Sequence, residues 1–271
     1  MRILWLVLGW SMIITYLTLL ETICLKKELN FNTAKGIYTS FMINYSSHIN
    51  FISILIFINI LGYVRLKFDQ INQNLLDFTK SNKLATKRAW ENSISLSHKC
   101  KFRKTRNSEW VIWIIIQLHL ELRKICHEID AIFGMGITMS TGGYCCWLAQ
   151  ILREIFRTIF DNNYSTSRMQ HILLNFSWFS IFFFKLLLLN VMCESINFKA
   201  NATGDLINRI SYSICDVEIR ENISQFLLQI AQAPIRFYGI GLFQFGYKFL
   251  YKFFQYIVTV LIILAQNYTN M

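Results

Sequence analysis

Residues 242–266 read LFQFGYKFLYKFFQYIVTVLIILAQ. The non-aromatic polar side chains in this stretch are Gln244, Lys248, Lys252, Gln255, Thr259 and Gln266, spaced 4, 4, 3, 4 and 7. At about 100° per residue they fall within an arc of roughly 80° on one helix. The stretch is longer than the ~20 residues a helix needs to cross a bilayer. A polar stripe on such a helix does not face hydrocarbon; it faces other helices or water. Two readings follow. The stripe packs against helices of the same chain with its polar groups hydrogen-bonded, or it lines a pore.

Working outward, the whole chain carries the same signature. It is 54% hydrophobic and 15% aromatic, with 16% charged residues, and its mean hydropathy is +0.36. This is the profile of an all-α, polytopic membrane helix bundle rather than a soluble domain. Five crossings are expected, at about residues 3–20, 49–64, 129–152, 172–193 and 242–266. Residues 3–20 carry no charge. Their apolar core is longer than that of a secretory signal peptide, and no small-x-small cleavage site follows.

The net charge of +11 is concentrated: residues 65–108 hold 11 of the 27 Lys and Arg. Positive charge between spans marks the cytoplasmic side, which explains the balance better than a nucleic-acid partner does. The organisation expected is therefore two spans in 1–64, a basic cytoplasmic loop and helix in 65–128, two spans in 129–193, cytoplasmic amphipathic helices in 194–240, and a terminal span with a short tail in 241–271. The N-terminus is placed in the cytoplasm and the C-terminus outside, with 26–40, 161–170 and 267–271 external. Sequons at Asn44, Asn163 and Asn267 fall at or near these external parts, whereas those at Asn175, Asn201 and Asn222 do not. Gly134, Gly136, Gly142 and Gly143 in the third span are expected to allow close helix approach.

No phosphate-binding glycine loop, nucleophile elbow, zinc-helix motif or set of histidine boxes occurs, so no enzyme, cofactor or metal is expected. His119 and His127 stand eight apart without further ligands at hand. The seven cysteines form no CxxC pair and read as buried thiols. There is no internal repeat. A transporter, which would call for inverted repeats and broken helices, is thereby less well supported.

Gly239, Gly241, Leu242 and Phe243, then Thr259-Val260, five apolar residues and Gln266-Asn267, resemble the end of insect gustatory receptors, a family that closes on Thr-Tyr, five hydrophobic residues and Gln-Phe. Val260 and Asn267 stand where the family has Tyr and Phe. Upstream, Glu194, Thr203-Gly204, Glu221, Phe226, Gln229, Phe237 and Phe133-Gly134 are similar in type and order to the family's preceding segments.

The resemblance implies that the five spans correspond to the last five of seven, the chain being N-terminally short of full members. It also implies a plasma-membrane channel for cations, opened by a small-molecule tastant, homo- or hetero-tetrameric with related receptors. Gln255, Thr259, Ile262, Gln266 and Asn267 would then line the pore, with Lys248 and Lys252 at its cytoplasmic mouth. Tyr144, Trp147, Trp178 and Phe182 are the candidates for a ligand pocket between spans, by depth and type. A non-conducting fragment or accessory subunit of such receptors is the alternative.

Overall fold

A computed structural model of the chain describes residues 2–29, 32–91, 98–160, 168–212 and 217–269. The element order is α1 (Arg2–Leu29), α2 (Thr33–Glu91), α3 (His98–Phe160), α4 (Arg168–Ser211), α5 (Val217–Gln232), β1 (Tyr238–Gly239), β2 (Phe243–Gln244) and α6 (Tyr247–Thr269). Among the described residues the only strands are the two-residue pair β1 and β2, and the fold is a helical bundle as expected. Among the described residues three helices are long and apolar enough to cross a membrane, Ile49–Lys80, Arg168–Ser211 and Tyr247–Asn267, and Leu8–Cys24 is a shorter apolar one. Residues 129–152 lie inside α3, one helix of 63 residues.

The loops expected between spans are largely helix. The basic stretch 65–108 continues α2 to Glu91 and resumes in α3 at His98; residues 92–97 lie outside the described ones. The reason is in the sequence, for no Gly or Pro occurs between Tyr63 and Glu91 to stop a helix. Phe57, Leu61, Val64, Phe68, Ile71 and Leu75 are all buried. Their 4-3-4-3-4 spacing is an apolar seam of the kind that holds paired helices together. Residues 26–40, expected outside as a loop, are likewise helix to Leu29 and again from Thr33. The helix of the fourth span runs on to Ser211, so the amphipathic region begins as part of α4 before α5.

The chain divides into two compact units. Unit one comprises Met1–Ile56, Gly136–Leu189 and Lys248–Met271, and unit two comprises Phe57–Met135 and Asn190–Tyr247. Unit two is knit by buried polar bonds as well as by the apolar seam. Asn72 Nδ2 donates to the Lys199 carbonyl at 3.0 Å, and Thr203 Oγ1 donates to Asn72 Oδ1 at 2.7 Å. Arg123 donates to the Gln229 carbonyl at 3.3 Å, a second donor to an acceptor near the end of α5 that also takes the Ala233 N–H at 3.1 Å.

His119 packs edge-on between Phe68 and Phe226, with ring centroids 5.3 and 5.2 Å away. Burial, with the nearby Arg123 charge adding to it, lowers its pKa from 6.5 to about 4. Folding therefore favours the neutral imidazole. Its contribution to stability is full above pH 6.5 and is lost as the pH falls toward 4, by about 2 kcal/mol at pH 5. His119→Leu is expected to remove that part of the loss. Melting temperatures of the two proteins in detergent at pH 7 and pH 5 check this, and an equal acid-induced drop in both would contradict it.

Candidate functional site

The entry to α6 is built from residues 237–246, all in unit two. β1 and β2 pair antiparallel, Tyr238 with Gln244 and Gly239 with Phe243. The turn closes where Leu242 N donates to the Gly239 carbonyl at 2.8 Å. Its central residues, Ile240 and Gly241, have φ of 50° and 74°. Glycine adopts that conformation freely, whereas the exposed, β-branched Ile240 holds it at a cost of about 1–2 kcal/mol. The turn is pinned to α3, where the Asp130 carboxylate accepts from Tyr238 N at 3.2 and 3.3 Å. Gly134, one helical turn along, brings α3 close to the Tyr238 carbonyl, 3.5 Å from where a Cβ would stand.

Gly246 is the hinge from hairpin to helix. Its φ is +136°, a region L side chains avoid. Its N–H donates to Asn190 Oδ1 at 2.8 Å, and a Cβ there would collide with the Glu194 carboxylate. The helix therefore starts at Tyr247. This corrects the extent of the polar stripe, since Gln244 lies in β2 and the helical stripe consists of Lys248, Lys252, Gln255, Thr259 and Gln266.

On α6 the buried side chains within unit one are Leu250, Phe253 and Ile257. The stripe residues and Asn267 are all exposed, on the opposite side of the helix at about 170° from the buried face. Ile262, expected beside them, is 52% exposed. Thr259 Oγ1 turns back to donate to the Gln255 carbonyl at 2.9 Å. Among the described residues of unit one, none buries the stripe.

A second feature lies wholly in unit one. A cavity of about 490 Å³ is lined by Tyr144, Trp147, Trp178 and Phe182, which the structure brings together from α3 and α4. The rings of Tyr144, Trp178 and Trp147 stand 5.3, 5.7 and 6.5 Å from that of Phe182. Three of the four are buried, and Trp147 is 50% exposed. The floor of the cavity is made by absent side chains. Gly136 and Gly143 line it, and a Cβ at either would meet open space. These glycines, with Gly134 and Gly142, were expected to allow close helix approach; Gly134 instead admits the β1 hairpin, and the other three meet open space.

Sequence reasoning missed the polar members of the wall, Glu21, Asn50, Ser140 and Asn175. Isolated amides in apolar runs were the available signal for Asn50 and Asn175. It also missed the surroundings of Lys185, which is 2% exposed. Its Nζ stands 4.7 Å from the ring centre of Trp10, 4.9 Å from Phe51, 5.2 Å from Phe182 and 5.7 Å from Tyr144. It has no hydrogen-bond partner among the described residues. The cysteines divide as well: Cys24, Cys126 and Cys193 are buried, Cys145 is intermediate and Cys146 is exposed.

Two comparisons bear on these features. A family described as 7tm chemosensory receptor matches the chain over residues 1–268. The solved structure of the insect olfactory receptor OR5 from Machilis hrabei, in complex with eugenol, superposes with a TM-score of 0.65 at 12% identity. The match covers 98% of this chain and 66% of that one, so this chain spans just under two thirds of the receptor's length. No curated protein matches the chain.

Proposed function

The chain belongs to the 7tm chemosensory receptor family, and from that premise we propose that it is a subunit of a gustatory, ligand-gated, non-selective cation channel for small-molecule cues. The observation that carries the proposal is the uncovered polar stripe of α6. In lipid a row of lysines, glutamines and threonine is costly. The cost vanishes if copies of the chain, alone or with related receptors, associate around a shared aqueous path. Four such helices would place Gln255, Thr259, Ile262, Gln266 and Asn267 along that path. The N-terminus would lie in the cytoplasm and the C-terminus outside the plasma membrane. Lys248 and Lys252 would lie at the cytoplasmic mouth, their long stems able to carry the charge to the interface.

The cavity of unit one serves in this reading as the ligand site. Its size and aromatic walls suit small ligands, and the similar olfactory receptor was solved with eugenol bound. Gly143→Leu puts a side chain into the open space. It is expected to raise the half-maximal ligand concentration by about tenfold or more, the equivalent of ~1.4 kcal/mol, with surface expression unchanged. An unaltered dose response would remove the cavity from the ligand site.

The direct test of the channel reading is ligand-evoked current in a heterologous cell presented with a tastant panel, comparing the chain with Gln266→Ala. Altered conductance or gating is expected. Unaltered values would remove the pore assignment, and no evoked current from the chain alone, with current restored by a co-expressed related receptor, would favour a non-conducting partner.

A further inference from the structure

We propose that the unit-one cavity takes a small aromatic carboxylate, with its ring among Tyr144, Trp147, Trp178 and Phe182 and its anionic head drawn to Lys185. This rests on the reading of the cavity as the ligand site. The cavity and the lysine share a wall. Tyr144 and Phe182 line the cavity and are also two of the four rings about Lys185 Nζ, and Asn50 on the wall directly precedes Phe51, a third.

The four ring faces attract a cation, which keeps the ammonium in place. The faces supply no acceptor, and the one phenol oxygen there, Tyr144 Oη, is not hydrogen-bonded to Lys185 Nζ. Lys185 makes no ion pair among the described residues, and Lys185 Nζ, Tyr144 Oη and Trp10 Nε1 are all buried without hydrogen-bond partners. Three donors therefore gather around one aromatic cage with nothing to donate to. Buried donors are normally satisfied, and a buried charge normally has a counter-charge. A carboxylate brings the negative charge and two acceptor oxygens at once. Glu21 is the carboxylate among the cavity-lining residues; it is not without a partner of its own, and it is not bonded to Lys185.

The test uses the full chain in lipid nanodiscs, with tryptophan fluorescence reporting binding through Trp147 and Trp178. The probes are phenylacetate, its methyl ester and phenethylamine, which share a ring and differ in head group. Phenylacetate is expected to bind about tenfold or more tighter than the ester. Lys185→Met is expected to abolish that preference. If this variant does not fold, the preference in the unaltered chain decides. Equal binding of acid and ester, or tighter binding of the amine, overturns the inference and leaves the cavity as a ligand site. No binding by any of the three overturns the inference and the ligand-site reading together.

Discussion

Gly246→Val is expected to abolish channel activity and to remove most of the folded protein. The position carries φ of +136°, which a β-branched residue does not adopt without strain of about 1–3 kcal/mol. The new Cβ would displace the Glu194 carboxylate, the end of a side chain that can swing aside. Relaxing the backbone to relieve the φ strain would break the bond from Gly246 N to Asn190 Oδ1, at 2.8 Å, and Asn190 is fully buried. An unmet buried amide costs a further ~1–3 kcal/mol. The sum is several kcal/mol against a total stability of about 5–15, at the point where α6 is launched. Fluorescence-detected size exclusion checks this. Combining Glu194→Ala with Gly246→Ala is expected to recover part of the folded peak, because the collision is gone and only the backbone strain remains. A normal profile for Gly246→Val would contradict the hinge.

Thr259→Lys is expected to abolish cation current while leaving assembly intact, and Thr259→Val is expected to keep most of it. Thr259 is exposed, midway along the stripe, with its hydroxyl already bonded to the Gln255 carbonyl at 2.9 Å. Losing the hydroxyl therefore costs the fold little. Four ammonium groups around a shared path are another matter. At ~10 Å and an effective dielectric constant near 20, each repels a passing cation by about 1.7 kcal/mol. Summed over four copies, that is enough to stop permeation. Normal current through the lysine variant, with unchanged reversal potential, would place Thr259 away from the ions.

The α6 stripe was legible because helical periodicity is local, and five of its six residues stand on the helix. Gln244 was misplaced because the period runs on through Gly246, where a single positive φ ends the helix. The length of α2 was missed because the basic stretch from Arg65 was read as a loop, although the buried seam from Phe57 runs regularly into it as far as Leu75. Tyr144, Trp147, Trp178 and Phe182 were legible by type and depth. Gly136 and Gly143 were misread, since a missing side chain serves contact and cavity equally and only neighbours decide which. The cage around Lys185 was out of reach. Its rings come from α1, α2, α3 and α4, and nothing local joins Trp10, Phe51 and Tyr144. The same holds for Asp130 and Tyr238, which meet across 108 positions.

The most direct measurement is thiol accessibility along α6. Single cysteines at positions 255, 259 and 266, in a background where the exposed Cys146 is serine, are exposed to a charged, water-soluble methanethiosulfonate in intact membranes. Positions 254 and 258, 46% and 53% exposed in the single chain but off the stripe, serve as controls. Modification at 255, 259 and 266 with protection at 254 and 258 is the result expected of a helix whose polar face meets water. Protection of all five, or modification only at the controls, would contradict a water-lined stripe.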